Sequence, residues 1–72
     1  MIGKWVKFDY GTGEFVGVVK RDILTEKGLQ LIVHGPDSQI GGDIERVFYP
    51  MKKDCVLMSK KEIIKLKLKG AI

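Results

Sequence analysis

Short alternating segments separated by glycine turns are the feature that most limits how this 72-residue chain can fold. Residues 4–10 alternate with period two, which predicts a strand with one apolar face and an opposite face carrying Trp5 and Lys7. Two glycines within residues 11–13 supply the positive φ angles of a tight turn. A second strand follows at residues 14–24, and its apolar residues on both faces are typical of a strand that bends and serves two sheets.

Turn-forming residues divide the middle of the chain at similar intervals. Three further strands are predicted at residues 29–34, 44–49 and 55–58, with a loop at 35–43 and a turn at 51–54 between them. Connections this short join neighbouring antiparallel strands. The pattern therefore predicts one all-β domain that spans residues 1–72.

The C-terminal segment carries two competing signals. Ser59 and Glu62 have the S-x-x-E spacing of a capping box, which predicts one helical turn. Residues 64–69 then alternate between an apolar residue and a lysine at every position. A helix would spread these apolar side chains around much of its circumference, whereas a strand places them on one face. We therefore predict a last strand at residues 64–69 that closes a barrel, with its lysines about 6.7 Å apart along the opposite face.

The opening hairpin resembles that of several groups of small barrels. The stretch WVKFDYGTGEFVGVVKRD, residues 5–22, is similar to the first hairpin of the SH3-like, Tudor and KOW group and of the Sm-like group. The resemblance implies a small antiparallel SH3-like barrel of five or six strands with one short helical turn near the C-terminus. It also implies that the domain binds nucleic acid or protein, because such barrels seldom catalyse reactions, and it carries over no functional residues.

The net charge of +4 is unevenly distributed along the chain. Residues 1–59 contain eight basic and eight acidic side chains, whereas residues 60–72 contain five lysines and Glu62 as their single acid. A neutral body with a cationic C-terminal segment indicates attraction to a polyanion. A second interpretation stays open, in which the lysines keep an exposed edge strand from pairing with another chain.

The sequence offers few groups for catalysis, metal binding or membrane insertion. Cys55 and His34 are the single cysteine and histidine, so a Cys/His metal site lacks ligands and no intramolecular disulfide can form. No nucleophile neighbours His34 in sequence, and no apolar run approaches the roughly 20 residues that cross a bilayer. We expect a cytoplasmic protein that is not an enzyme, has no membrane partner and needs no cofactor or metal.

Aromatic residues close to lysines predict a surface for nucleic acid, because a ring can stack on a base while ammonium groups neutralise phosphate. Trp5 also has a structural alternative as a core side chain. We predict binding of RNA or another single-stranded nucleic acid, with low sequence specificity. The predicted site consists of Trp5, Lys7, Tyr49, Lys52, Lys53, Lys60, Lys61, Lys65, Lys67 and Lys69. The alternative is a protein-interaction module, or a subunit of a homo-oligomeric barrel, with no nucleic-acid role.

Overall fold

Antiparallel strands form most of the computed structural model, which describes residues 1–11, 13–36 and 45–70. The strands of these ranges are β1 (Trp5–Tyr10), β2 (Gly13–Thr25), β3 (Gly28–Pro36), β4 (Glu45–Phe48) and β5 (Cys55–Leu57). A 3₁₀ turn at Lys52–Asp54 precedes β5, and the helix α1 (Lys60–Leu68) follows it. The predicted loop at residues 35–43 lies outside the described residues from position 37 onward, while positions 35 and 36 belong to β3.

The strands form a single sheet in the order β4-β3-β2-β1-β5, and every neighbouring pair is antiparallel. The predicted antiparallel, strand-rich architecture is therefore confirmed. Over the described ranges, β4 and β5 form the two edges and do not pair with each other, so the sheet is open.

The sheet bends at a bulge in its longest strand. The register between β2 and β3 shifts between Val19 and Arg21, which leaves Lys20 without a partner position across the ladder. An extra residue of this kind bends a strand and increases its twist. Gly35 of β3 permits a further close approach, because a Cβ atom at this position would overlap the carbonyl oxygen of Val16.

Aromatic packing brings the edge strand β4 close to β1 and β2 across the curved sheet. Phe48 of β4 is fully buried, and its ring centroid lies 5.2 Å from that of Phe8 and 5.0 Å from that of Phe15. In a flat sheet, β4 and β1 would be separated by three strand spacings, about 14 Å. The remaining fully buried core side chains come from β1, β2 and β3 and are Val6, Val19, Leu31 and Val33. The sheet thus curls around one apolar core.

The predicted last strand at residues 64–69 is wrong, because residues 60–68 form a helix. The capping box is complete: the Glu62 N–H donates to Ser59 Oγ at 3.2 Å, and the Ser59 N–H donates to Glu62 Oε1 at 3.1 Å. Lysine, leucine and glutamate are good helix formers, so a helix that is capped at its N-terminus continues through the alternating residues. Gly70, with φ of 73°, then provides the left-handed residue that commonly follows a helix.

Truncating the central ring should remove much of the stability of the sheet. We expect Phe48→Ala to lower the free energy of unfolding by about 3–5 kcal/mol, because it deletes a buried ring that contacts β1 and β2. Urea denaturation followed by circular dichroism measures this loss. Leu24→Ala is the control, since that side chain is 80% exposed and should change stability by no more than about 0.5 kcal/mol. Equal effects of the two substitutions would contradict the described core.

Candidate nucleic-acid interface

Helix α1 is tied to the outer face of the sheet, opposite the aromatic core. The Met58 N–H donates to the Trp5 carbonyl at 3.1 Å, which carries the chain past β1 before the helix begins. Lys7 alternates with the buried Val6 and therefore lies on the outer face of β1. Its Nζ is 2.7 Å from Glu62 Oε2 in the first turn of α1. This ion pair links the first turn of the helix to β1.

The ion pair also determines the charge that α1 presents. The hydrogen bond from Lys7, followed by that from the Ser59 backbone, lowers the pKa of Glu62, and the same partnership raises the pKa of Lys7. Both groups are therefore charged at neutral pH. Because Lys7 neutralises Glu62 from the sheet, the only carboxylate of α1 does not offset the lysines on the helix.

The exposed surface of α1 is cationic with a small apolar strip. Ile63 and Leu66 are half-buried, whereas Ile64 is 55% exposed and Leu68 is 82% exposed. At 100° per residue, lysines flank the Ile64–Leu68 strip on both sides. These exposed lysines are Lys60, Lys61, Lys65 and Lys67 on the helix and Lys69 at its C-cap. The predicted straight row of ammonium groups is thus replaced by two rows along a helix.

The α1 lysines are free of close acidic partners in the described part of the chain. No carboxylate oxygen there lies within 4.0 Å of the ammonium groups of the five lysines. Surface charges without such partners keep their full attraction for an external anion. Helix α1 and its C-cap therefore present five exposed lysines without a close acidic partner among the described residues.

The two predicted aromatic residues lie in different environments. Trp5 is half-buried on the outer face of β1, where it is paired across the ladder with Val18. Tyr49 follows the buried Phe48 and is 51% exposed, as expected for adjacent residues of an extended segment. The Tyr49 backbone is held in place by Gln30, whose Nε2 donates to the Tyr49 carbonyl at 2.9 Å. Tyr49 therefore has the more accessible ring.

Lys52 and Lys53 belong to a second group of lysines, which also includes Lys27. With Lys27, Gly28, Leu29 and Met51 they line a depression of about 340 Å³, called here the lysine-rimmed depression. Lys27 was not predicted, because it is distant in sequence and the backbone bridge between Gln30 and Met51 brings it close. The predicted site residues thus fall into two groups. One group lies on α1 and β1, and the other lies at or next to the 3₁₀ turn.

Cys55 lies in β5 and His34 in β3, two strands that are not neighbours in the sheet. Burial, followed by the nearby Asp54 charge, raises the pKa of Cys55 to about 11, so its thiol is a weak nucleophile at neutral pH. His34 Nδ1 lies 3.3 Å from Glu45 Oε1 at the β3–β4 edge. Across the described ranges, no three His, Cys, Asp or Glu side chains are grouped to hold a metal ion. No described helix has the length and apolar character needed to cross a membrane.

Comparisons of the chain with protein-family models, with curated proteins and with solved structures find no match. The resemblance of residues 5–22 to small barrels therefore remains a resemblance of strand pattern. A functional proposal for this protein consequently depends on the charge, exposure and contacts of its own side chains.

Replacing Lys7 tests the contact that holds α1. We expect Lys7→Gln to move the titration midpoint of the Glu62 carboxylate upward, because the substitution removes the main cause of the lowered pKa. Folding lowers this pKa, so the contact stabilises the protein above the ordinary pKa of a glutamate and is lost as pH falls through the lowered value. Carboxyl chemical shifts recorded from pH 2 to pH 7 measure the midpoint.

Lys4→Gln is the matched control for this titration, since it removes an exposed lysine near the start of β1. An identical Glu62 midpoint in the wild-type protein and in Lys7→Gln would show that the ion pair does not form.

Proposed function

We propose that this protein is a non-enzymatic nucleic-acid-binding domain that uses α1 to contact the phosphate backbone of RNA or another single-stranded nucleic acid. One observation carries the proposal: α1 and its C-cap present five exposed lysines, and the single carboxylate within α1, that of Glu62, is neutralised by Lys7. A phosphate backbone that meets such a surface releases condensed counterions, and this release drives association.

The composition of α1 favours binding with little sequence preference. Its exposed polar side chains are lysines, and residues 60–68 contain no arginine, asparagine or glutamine. Arginine, asparagine and glutamine have planar side chains suited to bidentate base contacts, whereas lysine, although it can also reach guanine, acts mainly as a point charge. The helix is therefore suited to hold a backbone rather than to read bases.

The other predicted site residues take different roles in this proposal. Tyr49 supplies an exposed ring on which a base can stack, and Trp5 offers only a partly exposed one. The ammonium of Lys7 is already bound to Glu62, so Lys7 positions α1 and does not contact phosphate. Lys52 and Lys53 add a second cationic surface beside the 3₁₀ turn.

We also propose that the curled sheet is a small SH3-like barrel of a cytoplasmic protein. Three observations support the barrel: the strand order β4-β3-β2-β1-β5, the bulged β2, and the rings of β1, β2 and β4 that meet in one core. The helical turn predicted at Ser59–Glu62 is the start of α1, and a separate 3₁₀ turn at Lys52–Asp54 precedes β5. The single cysteine is consistent with a reducing compartment.

The salt dependence of binding tests the nucleic-acid proposal. We expect a short mixed-sequence single-stranded RNA to quench Trp5 fluorescence with an affinity that falls steeply as salt rises. Combined Lys65→Gln, Lys67→Gln and Lys69→Gln should reduce the slope of log K against log salt by about 2, since each lost phosphate contact contributes about 0.7.

A matched triple variant controls for net charge. Lys4→Gln, Lys20→Gln and Arg21→Gln remove three exposed charges outside α1 and should leave the slope close to that of the wild-type protein. Absence of binding at low salt would overturn the proposal, and equal slopes for the two triple variants would exclude α1 as the contact.

A second candidate function is self-association or binding of a protein partner, favoured by apolar side chains beside the open β5 edge. Val56 and Leu57 are 56% and 54% exposed, and the Ile64–Leu68 strip follows them in α1. An edge strand with apolar side chains can pair with another chain. Light scattering over a concentration series separates the two functions: a mass that rises with concentration, without RNA binding, supports the second.

A further inference from the structure

We propose that the lysine-rimmed depression binds the terminal phosphate monoester of a nucleotide, with the attached nucleoside against its apolar floor. The nucleotide can be free or can be the 5′ end of a strand. This inference rests on the proposed function only where it concerns a strand end, because the depression is formed without α1.

The charge of the depression matches a dianion. Lys27, Lys52 and Lys53 are exposed and line the depression, and no aspartate or glutamate belongs to its lining. Glu26 and Asp54 are their sequence neighbours but do not line the depression. A phosphate monoester carries about −1.5 to −2 charges at neutral pH, whereas an internal phosphodiester carries one. Three lysines around one depression therefore favour a terminal phosphate over a backbone phosphate.

The first wall of the depression is a hairpin turn fixed by its own hydrogen bonds. The Thr25 hydroxyl donates to the Gly28 carbonyl at 2.7 Å, and the Lys27 N–H donates to Thr25 Oγ1 at 3.2 Å. Gly28 has a φ of 117°, a conformation that other residues rarely adopt. The backbone that carries Lys27 is thereby held in a defined turn.

The second wall is the segment that leads into the 3₁₀ turn, and it is bonded to β3. The Leu31 N–H donates to the Pro50 carbonyl at 2.8 Å, next to the bridge between Gln30 and Met51. The Asp54 N–H and the Cys55 thiol both donate to the Met51 carbonyl, at 3.0 and 3.4 Å. Because both walls are anchored by backbone hydrogen bonds, little backbone conformational entropy remains to be lost when a ligand binds.

The size and floor of the depression suit a nucleoside. Leu29 and Met51 provide apolar surface between the lysines, and the thioether of methionine packs favourably against aromatic rings. A volume of about 340 Å³ lies at the small end of the roughly 300–1,000 Å³ range of small-molecule sites. The volume of the depression is thus of the size of one nucleotide.

Backbone amide chemical shifts, titrated with adenosine monophosphate, test the proposal. We expect saturable shifts at Gly28, Leu29 and Met51, with weaker binding of adenosine and of inorganic phosphate, since each lacks half of the ligand. Lys52→Gln combined with Lys53→Gln should weaken the binding of adenosine monophosphate at least tenfold, because two charge-assisted contacts are lost. Lys4→Gln combined with Lys20→Gln is the matched control and should bind like the wild-type protein.

A pair of oligonucleotides distinguishes the two sources of the terminal phosphate. A site for strand ends should bind a 5′-phosphorylated strand more tightly than the same strand with a 5′-hydroxyl, and Lys52→Gln with Lys53→Gln should abolish this difference. Tight adenosine monophosphate binding without a difference between the strands assigns the site to free nucleotides. Absence of shifts at Gly28, Leu29 and Met51 with every ligand overturns the inference, even if α1 still binds RNA with a steep salt dependence. If neither oligonucleotide binds, the adenosine monophosphate titration alone still tests the inference.

Discussion

The contact on which the rest of the structure depends is the packing of Phe48 against rings from strands that are distant in the sheet. Phe48 lies at the end of β4, and its ring meets Phe8 of β1 and Phe15 of β2. The contact curls the sheet, so that β1 has an inner apolar face and an outer face that receives α1. It also directs the following residues towards β3, where Pro50 pairs with Leu31 and the lysine-rimmed depression forms.

On the outer face of β1, Lys7 offsets the one negative charge of the cationic helix α1. Glu62 serves the capping box through one carboxylate oxygen and Lys7 through the other. The Glu62 side chain therefore caps the helix and links its first turn to β1, and its negative charge is offset by Lys7. The lysines of α1 are then left as the charge that a polyanion would meet, which separates the structural role of Lys7 from the binding role proposed for the helix.

Local patterns were sufficient to predict the strands but not the C-terminal helix. Alternation and glycine turns located β1, β2 and β3 closely, because one face of each strand contributes to the core. At residues 64–69 the same alternation was misleading, since helix formation there follows from the capping box, the helix propensity of lysine and leucine, and Gly70 at the C-terminal end. Lys27 could not be predicted as a neighbour of Lys52, because that proximity depends on the long-range bridge between β3 and Met51.

Lysine footprinting tests most directly the claim that α1 is the surface that meets nucleic acid. Amines are acetylated in the free protein and in the presence of saturating single-stranded RNA, and the modification of each lysine is quantified by mass spectrometry. We expect strong protection of the α1 lysines and unchanged modification of Lys4 and Lys20, which are exposed elsewhere on the chain. Equal modification of the α1 lysines with and without bound RNA would contradict the account.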